Sequence, residues 1–290
     1  MRRWIGVALC AGVLLGWTLE RLHPVQQDAV AAFAPGWLPL LGAAFAAAAL
    51  IPPGRSPLGG RARQSLAWLG ILVMVWAANG LPFDLLTMAG LIGHRTASGD
   101  IVMSTVYWPG LLTRALALAV AVVLAREVFG HPETSFSDRP ATWYGYAAFL
   151  LALPYPVLRL HWALGGTLGL SEPGAAGEGW EPLVISIPWV LAAVLSLLLV
   201  SPPHWIPRRL LLAAGWSATV IVAMIGPAAL WSFISALISG GDTGSSDIEL
   251  WVFGLFYGSW FMWAIAAGAA TRSYQLRSAA FTASPGAPSR

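Results

Sequence analysis

Lysine is absent from the 290 residues, so all 16 strongly basic side chains are arginine, and charged residues of either sign make up only 10% of the chain. A soluble domain carries about 25% charged residues. The polar share here is too small to cover a water-facing surface, which excludes an ordinary soluble fold. Cysteine is nearly missing as well. The one thiol, Cys10, sits inside the first apolar run, so no disulfide can form within the chain and no cysteine-built metal site exists. There is no Walker motif, dinucleotide fingerprint or phosphate loop, and an ATP-driven role would need a partner subunit. Carboxylates are absent from the core of every expected helix; Asp84 and Glu249 come closest, each near a helix end. That argues against proton coupling through intramembrane acids and against paired-carboxylate catalysis. The pI of 9.4 comes from arginines scattered over short loops, with no basic domain to dock a nucleic acid.

What is present is apolar. Hydrophobic residues are 57% of the chain and mean hydropathy is +0.69. Runs at about 4–20, 33–51, 65–82, 105–126, 143–164, 182–201, 209–236 and 250–271 each approach the roughly 20 residues a helix needs to cross a bilayer. The fold class expected is therefore all-α, a polytopic membrane helix bundle with eight spans, a single transmembrane body over 1–277 whose main partner is the lipid bilayer. Met1-Arg2-Arg3 before the first run reads as a retained signal anchor, since no small-x-small cleavage site follows. With both termini cytoplasmic, twelve arginines fall inside and only Arg21 and Arg95 outside, the asymmetry expected of a bacterial plasma-membrane protein. Among the outer segments, 81–93 is apolar but too short to span and suits an interfacial or re-entrant helix. The segment 165–181 is rich in Gly and Glu and is expected to be flexible, 240–247 is a turn-rich connector, and a tail over 278–290 is expected to be disordered.

The two halves echo each other in order. Trp4 and Gly6 match Trp143 and Gly145, and Arg21-Leu22-His23 matches Arg159-Leu160-His161. Pro52-Pro53 matches Pro202-Pro203, and Trp108 with Gly110 matches Trp251 with Gly254. A parallel four-plus-four repeat, with halves 1–135 and 136–277, would place a cleft between them of the kind in which transporters bind substrate. The competing explanation is that Trp, Gly and Pro collect at membrane interfaces in any such protein.

Arg159 and Arg114 are the two charges well inside expected spans. Together they could face an outer vestibule and bind a carboxylate or phosphate through their forked donors. Alternatively each reaches a headgroup or pairs with a loop acid such as Asp84 or Glu181. Pro154 and Pro156 remove backbone donors and predict a kink beside Arg159. Helical spacing puts Tyr155, Arg159 and Trp162 on one stripe and His161 on another, while Tyr107 precedes Arg114 on its own helix. These six residues are the candidate binding set. His23, His94 and His161 show no zinc spacing, and neither a metal nor another cofactor is expected.

The run 155–166, with Arg159-Leu160-His161-Trp162-Ala163-Leu164-Gly165-Gly166, resembles a segment of multi-pass membrane proteins of actinobacteria whose activity is uncharacterised. The resemblance covers one helix and its exit, and it implies no catalytic residue. Three functions remain open from the sequence: permease-like handling of a small anionic solute, a non-catalytic subunit of a partner complex such as one with a membrane or ATPase subunit, or an intramembrane enzyme for lipid-linked substrates using His161, His23 or Asp84.

Overall fold

The computed structural model describes residues 2–22, 35–51, 59–90, 93–95, 101–103, 106–129, 141–172, 181–239 and 248–283. The chain packs as two units, Met1–Ser135 and Phe136–Arg290.

Unit 1 holds α1 (Arg2–Leu22), α2 (Leu38–Leu50), α3 (Gly60–Ala77), α4 (Leu81–Met88), a hairpin of β1 (Gly93–Arg95) and β2 (Ile101–Met103), and α5 (Trp108–Phe129). Small residues set its packing. Gly6 of α1 lies against Leu50 of α2, Gly12 and Gly16 lie against Leu116 and Thr113 of α5, and Gly70 of α3 lies against Leu124 of α5. Without a hydrophobic drive between helices in lipid, such close approach is what lets dispersion hold a bundle together. At the far end of α3, Gly80 at φ +92° turns the chain, and Pro82 in the first turn of α4 starts the short helix expected over 81–93. The hairpin after it was not foreseen.

Unit 2 holds α6 (Trp143–Ala152), α7 (Pro154–Ala163), α8 (Glu181–Val200), α9 (Arg208–Ser239) and α10 (Leu250–Ala283). The kink expected at the two prolines is a break. Pro154 and Pro156 have no N–H to offer Leu150 and Ala152, and Leu153 bonds instead to Leu150 in a tighter turn (3.3 Å). Small buried residues again mark the contacts: Ala148 and Ala152 of α6 are 1% exposed or less. Large apolar side chains such as Leu150, Val157, Ile187 and Leu191 point outward, as they do where lipid is the solvent.

Among the described residues, six helical stretches are long and apolar enough to cross a membrane: 4–22, 60–88, 108–128, 183–200, 208–238 and 250–278. The other two expected spans differ from a plain crossing helix. The second is α2, 13 residues and so about 20 Å long. The fifth is α6 and α7 in series across the break at Leu153. Two loop expectations need correction. α10 continues to Ala283, past the point where a disordered tail was expected, because no Gly or Pro interrupts the chain until Pro285. Residues 165–172 are not loose, for reasons given below. The connector 240–247 and residues 173–180 lie outside the described residues.

Candidate functional site

α7 is three turns long, and Tyr155, Arg159 and Trp162 follow one another along one face. Tyr155 and Trp162 are buried, 6% exposed each, and Arg159 is half-buried between them. Its guanidinium carbon lies 5.1 Å from the Tyr155 ring centre and 5.2 Å from that of Trp162. The same face meets a cluster of rings from α8 and α10. Tyr155 sets its edge against Phe256 (4.7 Å) and Trp260 (5.3 Å), Trp189 stacks on Trp260 (4.4 Å), and Tyr257 meets Trp260 at 4.8 Å. Trp263, on the far side of Trp189, completes the group at 6.0 Å.

The electrostatics are one-sided. Arg159 Nε and Trp260 Nε1 are buried donors with no hydrogen-bond partner among the described residues. Two cation–π contacts contribute about 0.5–2 kcal/mol each. They offset much of the roughly 2.5–3.5 kcal/mol that an arginine costs inside a span. They do not satisfy an N–H, and an unpaired buried donor costs a further ~1–3 kcal/mol. Rings therefore hold the cation in place while its donor edge still wants an acceptor.

The exit from α7 is built by the same motif. Trp162 Nε1 donates to the Leu168 carbonyl (2.8 Å), and the Leu168 N–H donates to His161 Nε2 (3.4 Å). A β-carbon at Gly166 would overlap the His161 ring where it stands, so any larger residue there has to displace that ring. Gly165 (φ +86°) and Gly169 (φ +75°) take conformations that other residues rarely adopt. Gly169 then accepts from the Glu249 N–H (2.9 Å), and Leu170 bridges to Ile248 at the start of α10. The segment expected to be flexible is thus folded back on α7 and tied to α10.

Arg114 in unit 1 is different. Its Nη1 pairs with Asp84 Oδ2 at 2.5 Å, with both side chains about one-seventh exposed (14% and 15%). The guanidinium rests on Gly80, where a β-carbon would come within 3.2 Å of it. Of the two alternatives for Arg114, pairing with a loop acid is the arrangement found. Tyr107 hydrogen-bonds to the Glu20 carbonyl (3.4 Å). Burial pushes its phenol above the usual tyrosine value, Glu20 adds to the rise and Arg114 opposes it.

Of the six candidates, Tyr155, Arg159 and Trp162 come together. His161 projects away, exposed, and serves the exit loop. Arg114 and Tyr107 belong to unit 1. The rings of Trp189, Phe256, Tyr257 and Trp260 are absent from the sequence-derived set, because aromatics flanking spans read there as an interfacial belt. Their one sequence signal is density: 256, 257, 260, 261 and 263 are all aromatic. Among the described residues no three His, Cys, Asp or Glu side chains gather as a metal site would require, and His23 lies outside those residues. Compared with protein-family models, with curated proteins and with solved structures, the chain matches none.

Proposed function

We propose that this chain is an eight-span membrane protein of permease type, with both termini cytoplasmic, that handles a small anionic solute at Arg159. The observation that carries the reading is the guanidinium held over Tyr155 and Trp162 with its Nε buried and unpaired. An unpaired Nε alone is not distinctive, since Arg208 has one too. But an arginine kept only for structure would be expected to have an acceptor on some guanidinium nitrogen, as Arg114 has in Asp84 and Arg208 in the Gln275 carbonyl. Counting α2 as one short crossing and α6 with α7 as one broken crossing brings the six long helices to eight. A broken helix whose polar group sits just past the break is a feature of transporter sites.

Duplication of a four-span half supports the same class, and geometry inside each unit favours it. In unit 1, α1 packs on α2 and α5, α2 on α3, and α3 on α5; in unit 2, α6 packs on α8 and α10, α8 on α9, and α9 on α10. The glycine pairs correspond. Gly6 touches Leu50, two residues before Pro52-Pro53, and Gly145 touches Val200, two residues before Pro202-Pro203. Finally, Arg21 sits over Trp17 (5.5 Å) as Arg159 sits over Tyr155, four residues apart in both and each followed by Leu-His. Interface composition alone does not place contacts at matching positions.

Uptake of small carboxylates and phosphates into proteoliposomes containing the whole chain tests the assignment. Loss of a charge-assisted hydrogen bond, about 1.5–3 kcal/mol, predicts a ten- to hundredfold weaker response in Arg159→Gln. Uptake at the ordinary level by a well-inserted Arg159→Gln protein overturns it.

A further inference from the structure

Resting on the anion reading of Arg159, the structure carries one step further, to the charge and the donors of the ligand's site. In the ring cluster, Arg159 Nε and Trp260 Nε1 are buried and unpaired. The hydroxyls of Tyr155 and Tyr257 make no hydrogen bond either, among the described residues. The four donor-bearing residues follow one another through contacts: Arg159 lies over the Tyr155 ring, Tyr155 meets Trp260, and Trp260 meets Tyr257. Each of these groups can give a proton to a hydrogen bond, and no carboxylate of the described residues joins them.

Only one of the four is charged. The remaining described arginines of unit 2 are remote. Arg208 and Arg277 bond to the Gln275 and Leu199 carbonyls, Arg209 follows Arg208 at the start of α9, and Arg272 stands twelve residues along α10 from Trp260, about 18 Å on a helix. In a ring-lined site of low dielectric, one guanidinium neutralises one negative charge, and a second would be left uncompensated and desolvated. A phenol or indole N–H can bond an oxygen but cannot balance that charge.

We propose that the α7–α10 ring cluster is a site for a singly charged oxyanion, held at its charge by Arg159 and at its remaining oxygen lone pairs by Tyr257 and Trp260. The shared chemistry has two sources, a water-borne monocarboxylate and the phosphodiester of an anionic lipid. Doubly charged sulfate or phosphate is discriminated against.

The test uses the full chain in nanodiscs. In neutral phosphatidylcholine, intrinsic tryptophan fluorescence is followed during titration with hexanoate and, separately, with sulfate. A parallel sample uses discs containing phosphatidylglycerol. The expected result is a saturable change with hexanoate, at least tenfold weaker with sulfate, and abolished in Arg159→Gln. Tyr257→Phe and Trp260→Phe, which keep the rings and remove one donor each, should weaken binding about two- to tenfold. A change with phosphatidylglycerol that needs Arg159, with no response to hexanoate, supports the same site and assigns the lipid source. Sulfate binding as tightly as hexanoate, both lost in Arg159→Gln, overturns the single-charge inference and leaves Arg159 as an anion site. Wild-type affinity in both Tyr257→Phe and Trp260→Phe overturns the donor set. No Arg159-dependent response to any of the three probes overturns this proposal and the anion reading together.

Discussion

Two arginines of the same kind, each within an apolar run, end in opposite situations, and the cause lies one residue away from each. Gly80, at φ +92°, turns the chain so that Asp84 in the first turn of α4 reaches Arg114. Among the described residues nothing comparable reaches Arg159, whose neighbours at four residues before and three after are aromatic. The first arrangement is a staple and the second is a held but unsatisfied cation. The staple has a testable strength. Both partners keep some exposure, so Asp84→Asn is expected to cost about 1–2 kcal/mol, less than breaking a fully buried pair. In a chain of this size that lowers a thermal midpoint by a few degrees. Arg114→Gln in the same background should cost little more, because the partner has already gone. Additive losses in the double variant would show that the two side chains are not coupled.

At the level of helices and loops, the break between α6 and α7 is legible in the sequence because its cause is local: Pro154 and Pro156, two residues apart, remove neighbouring helix hydrogen bonds, whereas the lone Pro188 and Pro227 leave α8 and α9 continuous. The loop that follows was misread for the complementary reason. Gly165, Gly166 and Gly169 look like flexibility in a one-dimensional string, yet here they form a turn, leave room for the His161 ring and form a second turn. Only the partners that they admit reveal this, and Ile248 and Glu249 are some eighty residues away. The ring cluster escaped notice likewise, since Trp189 and Trp260 stack across two helices with no shared spacing. The latch can be tested by a size exchange. Gly166→Ala should push the His161 ring off Leu168 and destabilise by about 1–3 kcal/mol, as overpacking does. His161→Ala in the same chain should restore most of that, by making room. If Gly166→Ala melts at the parent temperature and the 164–172 segment is no easier to cleave, the latch has no energetic weight.

For the molecule as a whole, composition fixed the class before any motif did. A chain with 10% charged residues has to place its apolar surface somewhere other than water, and the outward-facing Leu150, Ile187 and Leu191 are where it does so. What composition leaves open is how many times the chain crosses, because α2 is short and the α6–α7 pair is interrupted. Each is a weak span by length and a full one by position. Discounting either would reverse the sidedness of everything after it. Topology is therefore decided by sidedness, and the sequence offers a clean route to measure it: Cys10 is the only thiol and it is buried. Replacing it with serine gives a background in which single cysteines at two exposed positions, Glu172 between α7 and α8 and Ser201 after α8, can be labelled in intact cells with a membrane-impermeant maleimide. Eight crossings with an inside N-terminus predict labelling at 172 and protection at 201. Seven crossings, through loss of α2 or of the α6–α7 pair ahead of both positions, predict the reverse. Protection at 172 with labelling at 201 would therefore remove one of the two irregular crossings, and with it the sidedness that the arginine distribution implies.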